Sequence, residues 1–395
     1  MIRYLYKQTL LSILKLLIFV SIMFFFIQIM MPGDFVDQFS ISCNAACREN
    51  LRIQLGLDLP IWQRYFQWLG QLASLNLGES LNGQPIVDIL KQVIPATLLV
   101  FFIGTIFSFM LGLWLGKVTA WRGSAWLSRS TTLLGLTLNT SFPPWLTWLF
   151  TYIFVRGSSF VVMGEVGGLG TVSFMGLDNL LWKNIVTPPS KIASYMVISF
   201  AFSAVLLYLI KSLVDSLMRK STPGVIYLIL MTGTTYGIWR YFGFAPFAMD
   251  IMHLAWIPLA TYILLTFGET MMIMQSSMEE VMRSDYISTA RAKGLPDSVV
   301  RERHAAQNAL LPVVSRLVIS LPYLITGVVI IESSLDWPGM GTTMWNALYW
   351  QNIPLVMSIL LLVGVLSLIA RLILDILSAF LDPRIRYGEE KALTN

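Results

Sequence analysis

Residues 275–316 read QSSMEEVMRSDYISTARAKGLPDSVVRERHAAQNALLPVVSR, a polar stretch that lies between two long apolar segments. Six of the chain's 27 basic residues fall in it, namely Arg283, Arg291, Lys293, Arg301, Arg303 and Arg316. A connection of this length and charge between membrane spans must lie outside the bilayer, and its basic excess predicts the cytoplasmic side. Helical spacing on both sides of Gly294, Leu295 and Pro296 predicts two short helices. We call residues 275–312 the polar loop.

The composition of the whole chain is that of a protein that crosses a membrane several times. Of its 395 residues, 56% are hydrophobic and 12% are charged, and the mean hydropathy is +0.69. A soluble protein carries about 25% charged residues, so the composition excludes that class. The net charge of +5 comes from basic residues in alternate loops, where they set topology, and does not indicate nucleic-acid binding. We expect no cofactor and no metal site in this chain, which has two cysteines and two histidines.

Apolar segments long enough to cross a bilayer recur along the chain and predict an all-α bundle of about eight transmembrane helices. The apolar runs are continuous, which favours helices over the alternating strands of a β-barrel. Most basic residues then fall on one side, which places both termini in the cytoplasm. The predicted spans are 9–31, 95–115, 131–155, 192–210, 225–239, 253–274, 313–331 and 354–379.

The same pattern, together with the family resemblance described below, divides the chain into parts with different predicted roles. These are an N-terminal transmembrane helix (1–31), an extracytoplasmic helical cap (32–94), core transmembrane helices (95–155), a variable insert with two extra spans (156–247), a second core region that contains the polar loop (248–381) and a cytoplasmic tail (382–395). Cys43 and Cys47 share one short segment of the cap, so a disulfide between them is predicted if that compartment is oxidising.

Groups that could carry chemistry inside the membrane are few. Lys117 ends a segment with three residues between its glycines, where a phosphate-binding loop has four, and is predicted to be a snorkelling lysine at a helix end. Glu269 is close enough to a helix end to snorkel as well, and Arg371 and Asp375 have the spacing of a local ion pair. An intramembrane protease needs a serine that faces a histidine, and only His253 lies near a span. An intramembrane enzyme and an ion-coupled secondary transporter therefore remain as alternatives without a visible site.

The polar loop resembles the cytoplasmic loop of permease subunits in bacterial ATP-binding-cassette (ABC) importers, specifically the dipeptide, oligopeptide and nickel group. In that group the loop reads D-Y-[VI]-x-T-A-R-A-K-G and then H-A-x-x-N-A-L-L-P. The matching residues of the first half are Asp285, Tyr286, Ile287, Thr289, Ala290, Arg291, Ala292, Lys293 and Gly294. Those of the second half are His304, Ala305, Asn308, Ala309, Leu310, Leu311 and Pro312.

The resemblance extends to both ends of the chain. Segments similar to the B-type member of the permease pair are found at 31–34, 54–60, 77–80, 90–98 and 381–387. The predicted outside stretch ESSLDWPGMG at 332–341 is similar to the family's E-T-x-F-S-x-P-G-L-G, with the Thr and Phe positions replaced. The family usually has six spans in this subunit, so the two extra spans within 156–247 depart from its pattern.

The resemblance implies a transport subunit of the bacterial cytoplasmic (inner) membrane and not an enzyme. A second homologous permease would complete the pathway, two separate ATP-binding subunits would hydrolyse ATP, and an extracytoplasmic solute-binding protein would deliver the solute. The implied substrate is a peptide, and nickel or an oligosaccharide is the alternative on the same scaffold.

The resemblance also implies roles for particular residues. The ATPase-coupling residues would be Asp285, Tyr286, Thr289, Ala290, Arg291, Ala292, Lys293, Gly294 and Pro296. A strut that returns the loop to the membrane would contain His304, Asn308 and Pro312. The surface that docks the binding protein would contain Trp337, Pro338, Gly339 and Gly341.

Overall fold

A computed structural model of the chain describes residues 2–30, 36, 44–54, 56–74, 76–122, 125–155, 182, 187–218 and 224–381. The regular secondary structure of these residues is helical, apart from one isolated β-bridge between Glu79 and Pro85. The predicted all-α fold class is therefore confirmed. Cys43, most of 156–191 and the tail at 382–395 lie outside the described residues, as do the side chains of Arg371 and Asp375. The predictions made for them stay predictions.

The helices are labelled here in chain order. They are α1 (Ile2–Met30), α2 (Ala45–Gln54), α3 (Ile61–Ala73), α4 (Ile86–Arg122), α5 (Ala125–Asn139), α6 (Pro143–Val155), α7 (Pro189–Met218), α8 (Gly224–Tyr241), α9 (Ala245–Met282), α10 (Asp285–Ala292), α11 (Ala306–Leu335), α12 (Met340–Tyr349) and α13 (Ile353–Leu381). A helical turn, Asp297–Val299, and a π-helical segment, Val300–Ala305, lie between α10 and α11.

Several of these helices are long and apolar enough to cross a membrane. By length and composition, four described stretches qualify, namely Leu10–Met30, Ile86–Trp121, Pro189–Lys211 and Ala245–Met282. A shorter apolar stretch, Ile353–Ile369, lies in α13. Seven of the eight predicted spans are helical wherever the structure describes them. The two extra spans predicted within the insert are among them, as α7 and α8.

The structure corrects one predicted span. The predicted span 131–155 is broken at 140–142, because Pro143 and Pro144 lack the N–H groups that would continue α5 and instead start α6. Helix α4 starts at Ile86, nine residues before the predicted span 95–115, so residues 86–94, assigned to the cap, form its first turns, and the bounds of the span itself stay a prediction. An ion pair between Lys91 and Asp88 (3.2 Å) lies on the exposed side of these turns.

The chain forms two compact units. The first contains residues 1–92, 318–322 and 342–395, and the second contains residues 93–317 and 323–341. In the first unit, α1 packs against α13 and α3. α3 meets α1 through aromatic rings, with Trp68 stacked on Phe24 at 5.7 Å and Tyr65 beside Phe25 at 5.0 Å.

In the second unit, α9 is the helix on which the others pack. It contacts α5, α6, α7 and α8. Gly112 of α4 faces α9 so closely that a Cβ atom there would lie 2.8 Å from Phe267 O. Gly268 of α9 is in similarly close contact with Gly135 of α5. Glycines at these crossings allow the helix backbones to touch, which is how helices associate in an apolar solvent.

Candidate functional site

The polar loop begins and ends as extensions of two long helices. Its first residues continue α9 as far as Met282, and its last residues belong to α11. Between them, α10 ends in a turn at Gly294, whose φ of +73° is in the left-handed region that favours glycine. The backbone is then helical without a break from Asp297 to Leu335. The predicted break at 294–296 is confirmed, with α10 as a short helix before it, but the second predicted helix is not short, because it continues directly into α11.

One side of α10 is buried and the other is open. Ile287 and Ala290 are only 0% and 6% exposed, in a cluster of side chains from α9, the π-helical segment and α11. The other members are Met274, Met278, Val300, Ala305, Ala306, Ala309 and Val313. The predicted coupling residues with exposed positions are Asp285, Tyr286, Thr289, Arg291, Ala292, Lys293, Gly294 and Pro296. Ala290 alone among the predicted coupling residues faces inward, so its small side chain serves the packing of the loop.

An ion pair ties the end of α4 to the π-helical segment. Lys117 Nζ lies 2.9 Å from Glu302 Oε2, and Arg301 Nε lies 3.0 Å from Glu302 Oε1. Partial burial raises the pKa of the Glu302 carboxyl, but the hydrogen bonds and charges of Lys117 and Arg301 outweigh it, so the pKa lies below its ordinary value. This carboxylate is therefore ionised at neutral pH, and the contact weakens only as the pH falls through that lowered pKa.

Trp121 makes a second connection between α4 and the polar loop, one helical turn beyond Lys117. Its indole N–H donates to Asp297 Oδ2 at 2.7 Å. The guanidinium of Arg291 lies over the indole ring, 5.3 Å from its centroid, in the geometry of a cation–π contact. Arg291 is thereby held on the exposed face of α10, where the family resemblance implies a contact with an ATPase.

Sequence reasoning did not connect α4 with the polar loop. It predicted Lys117 to be a snorkelling lysine at a helix end, and it did not predict that the ammonium is paired with Glu302. The two residues are 185 positions apart in the chain, and no sequence motif links one to the other. The one available signal was Trp121, an aromatic residue at a helix end beside a charged loop.

The predicted return strut lies at the start of α11 and contacts α10. Asn308 Nδ2 donates to the hydroxyl of Tyr286 at 3.0 Å and to the carbonyl of His304 at 3.1 Å. Asn308 thus joins two predicted residues, one on each side of the Gly294 turn. Pro312, the last residue of the polar loop, is exposed and lies within α11.

At the other end of the second unit, a fully buried carboxylate organises the turn before α12. The Glu332 side chain accepts a hydrogen bond from the backbone N–H of Gly341 at 2.7 Å. The hydroxyl of Thr97 in α4 accepts the N–H of Met340 at 2.8 Å. Gly339 lies against the Glu332 carboxylate, where a Cβ atom would collide with it. We call this set of contacts the Glu332 clasp.

Burial changes the interpretation of the residues predicted to dock a binding protein. Trp337 is 0% exposed, and its indole N–H donates to the carbonyl of Ala96 at 3.2 Å. Gly339 and Gly341 are also buried, and Pro338 is half-buried. The Trp337 indole is therefore part of the interior of the turn and not of a docking surface. The exposed residue of this turn is Asp336, so docking at the turn stays a prediction.

The comparisons with known proteins match both ends of the chain. The family model described as binding-protein-dependent transport system inner membrane component matches residues 192–387, and the model of the N-terminal part of such components matches residues 1–84. The chain belongs to the family of binding-protein-dependent transport system inner membrane components. It is thus a permease subunit of an ABC importer, and the predicted family is confirmed.

Relatives of this permease are similar over nearly their whole length. A Brucella suis protein named as a peptide permease is 28% identical over 392 residues, which are 98% of this chain and 99% of the relative. The dipeptide transport system permease protein of Alkalihalophilus pseudofirmus is 27% identical, over 96% of this chain and 98% of its own. The oligopeptide transport system permease protein of Bacillus subtilis is 26% identical, over 98% of this chain and 100% of its own.

The extent of the match bears on the two additional helices of this permease. The matched range 192–387 includes most of α7 and all of α8. Tyr227 of α8 donates to the carbonyl of Ala204 at 2.6 Å, and Trp239 donates from its indole to Ser199 at 2.8 Å. The two helices therefore form a hairpin with internal hydrogen bonds, inside the region that the family model describes.

The Glu332 clasp yields a test of stability in this permease. Thr97→Val removes the acceptor of the buried Met340 N–H, which costs about 1–3 kcal/mol when no other group replaces it. We expect a lower melting temperature for purified Thr97→Val, whereas Thr97→Ser, which keeps the hydroxyl, stays close to the unchanged protein. An unchanged melting temperature for Thr97→Val, with a loss in Thr97→Ser alone, would show that the methyl group, and not the hydroxyl, stabilises the turn.

In the described part of the chain, no three His, Cys, Asp or Glu side chains lie together as metal ligands would. The predicted absence of a metal site and of a cofactor stays a prediction.

Proposed function

We propose that this chain is the permease of a peptide importer and that α10 is the surface through which a separate ATPase subunit moves its membrane helices. The observation that carries the proposal is the attachment of α10. Its buried side is packed against α9 and α11, and Arg291 contacts Trp121 of α4. A displacement of α10 therefore reaches three long helices at once, as a rigid-body transition between two pathway states requires.

The names of the relatives support the choice of substrate. Three similar proteins are named as permeases for peptides, dipeptides or oligopeptides, and they align over almost the whole chain. Nickel and oligosaccharides, the alternatives on the same scaffold, have no comparable support here. A transporter driven by an ion gradient is not favoured by the family either.

The proposed assembly contains four kinds of subunit. A second homologous permease completes the pathway. Two ATP-binding subunits couple to the permease pair, one of them through α10 of this chain. An extracytoplasmic solute-binding protein delivers the peptide. Both termini and the polar loop lie in the cytoplasm of a bacterium, as the excess of basic residues favours. ATP hydrolysis belongs to the partner subunits, and this chain itself needs no cofactor.

Gly294 offers a matched pair of variants for testing the α10 surface. No atom lies within 4 Å of the position of a Cβ there, so Gly294→Ala adds only the strain of a left-handed backbone, about 1–2 kcal/mol. Gly294→Trp adds the same strain and a large side chain on the exposed face. In the importer reconstituted with its partners, we expect Gly294→Trp to lower peptide-stimulated ATP hydrolysis at least about fivefold more than Gly294→Ala does.

The outcomes separate the proposed contact from a local folding effect. Equal loss in both Gly294 variants would show that the turn conformation alone matters. Unchanged stimulation in Gly294→Trp would overturn the assignment of α10 as the coupling surface.

A further inference from the structure

An ion pair on α9 and α11 lies within the predicted membrane spans and is still open to solvent. Arg316 Nε is 2.7 Å from Glu269 Oε1. The two side chains are 54% and 30% exposed, respectively. Glu269 falls in the predicted span 253–274, five residues before its end. Arg316 is the last residue of the polar stretch 275–316 and the fourth residue of the predicted span 313–331, so the pair lies near the ends of both spans that adjoin the polar loop. The sequence predicts that Glu269 is close enough to a helix end to snorkel, and the structure adds that its carboxylate has a partner on a neighbouring helix.

The neighbours of Glu269 on α9 show which side of the helix is open. Gly268 is pressed against α5 at Gly135, and Thr270 lies against α4 at Gly112. Glu269 points between these two packed faces, toward α11. Ser276, two helical turns along the same face of α9, is exposed.

The matching face of α11 is exposed too. Asn308 and Pro312 precede Arg316 by two turns and one turn, and both are exposed. Ser276, Asn308 and Pro312 belong to the polar loop, so the ion pair lies about two helical turns beyond the loop on α9 and one turn beyond it on α11.

Charged groups in membrane helices seldom face lipid, because hydrocarbon does not solvate them. A half-exposed guanidinium and carboxylate within two spans therefore indicate a water-filled path or a protein neighbour on this side. The single contact between Arg316 Nε and Glu269 Oε1 uses one donor and one acceptor. The Nη groups of Arg316 and the Oε2 atom of Glu269 make no other hydrogen bond or ion pair with the residues that the structure describes.

We propose that Glu269 and Arg316 are a substrate contact of the translocation path, at which Glu269 binds the terminal ammonium of a peptide and Arg316 binds its terminal carboxylate. The inference rests on the proposed peptide substrate. A peptide with free termini carries one charge of each sign, and the pair offers the opposite charge to each. Charge-assisted hydrogen bonds of this kind are about twice as strong as those between neutral groups. When the peptide leaves, the two side chains pair with each other again, so neither is left uncompensated.

The competing explanation is that the pair only holds α9 and α11 together, or binds the second permease. An inverted pair distinguishes the explanations. Glu269→Arg combined with Arg316→Glu restores an attraction between the helices, but it exchanges the positions of the two charges that a peptide would meet.

The test uses the complete importer in proteoliposomes, with its binding protein saturated with a dipeptide. Peptide uptake and ATP hydrolysis are measured for the unchanged protein, Arg316→Gln, Arg316→Lys and the inverted pair. We expect Arg316→Gln and the inverted pair to transport at least threefold less dipeptide per ATP hydrolysed, while Arg316→Lys, which keeps the charge, retains most of the uptake.

A second arm compares the dipeptide with the same dipeptide amidated at its C-terminus. Every variant meets the same binding protein, so a change in the ratio of the two uptake rates reports on this chain. We expect the unchanged protein to favour the free acid and Arg316→Gln to lose at least half of that preference.

Three results would overturn the proposal. They are recovery of uptake in the inverted pair, an unchanged acid-to-amide ratio in Arg316→Gln, and a fall in ATP hydrolysis that parallels the fall in uptake. The first and third assign the pair to helix packing or to subunit contact. A failure of the peptide function itself looks different, because the unchanged protein would then transport neither dipeptide.

Discussion

Glu302→Lys is expected to lower both peptide transport and peptide-stimulated ATP hydrolysis of the assembled importer at least about tenfold. The substitution puts a third cation beside Lys117 and Arg301, which lie 2.9 and 3.0 Å from the carboxylate oxygens. At the contact between α4 and the polar loop, the attractions of Lys117 and Arg301 to the carboxylate of residue 302 are replaced by repulsions from its new ammonium group. Breaking a half-buried pair costs about 2 kcal/mol after allowance for solvent screening, and the repulsion adds to it. The polar loop can then move without α4, and a movement of the ATPase subunit no longer switches the access of the pathway.

Two further variants identify the cause of the Glu302→Lys effect. Lys117→Glu in the same chain returns an opposite charge to the position of α4, and we expect it to recover a large part of the coupling. Arg303 is exposed and lies next to Glu302, so Arg303→Glu changes the loop charge without touching the pair. Its transport rate is expected to stay within about twofold of the unchanged protein. A loss as large in Arg303→Glu as in Glu302→Lys would attribute the effect to net charge on the loop.

The sequence was sufficient to predict the helices and the polar loop, because these depend on local patterns. Apolar runs define helices such as α9 without reference to any partner, and Gly294 and Pro296 mark the turn in the loop by their own backbone preferences. The break between α5 and α6 was also predictable, since Pro143 and Pro144 stand at its end. The predicted span 131–155 was based on apolar composition alone and therefore included this break. The helix is interrupted there because proline has no N–H group to donate to the preceding turn.

The contacts that hold the candidate site together were not predictable from one sequence. Lys117 and Glu302, like Glu269 and Arg316, lie on helices far apart in the chain, and their pairing depends on how the helices cross. The burial of Trp337 could not be predicted for the same reason, because it depends on a neighbouring helix. A tryptophan in a predicted outside turn is typical of an interface, and only its packing beside Ala96 shows that it is buried.

Gly268→Ala is expected to prevent this protein from folding to a stable state. A Cβ atom at residue 268 would collide with the carbonyl oxygen of Gly135 and lie 2.8 Å from its carbonyl carbon. Both obstacles are backbone atoms of α5, so no side-chain rotation relieves them, and the two helices must move apart. Overpacking of this kind costs about 3 kcal/mol or more. The measurement is the yield and melting temperature of monodisperse protein in detergent.

Two other glycine-to-alanine variants give the controls for Gly268→Ala. A Cβ atom at Gly135 would lie 2.7 Å from Met271 Cε, the end of a flexible side chain, and 3.3 Å from the Gly268 Cα. We therefore expect Gly135→Ala to fold with a modestly lower melting temperature. Gly233 of α8 has no atom within 4 Å of its Cβ position, so Gly233→Ala gains helix propensity and costs nothing in packing. If all three variants fold equally well, α5 and α9 do not touch at Gly135 and Gly268. A loss confined to Gly268→Ala locates the constraint in the backbone contact, which only glycine at that position permits.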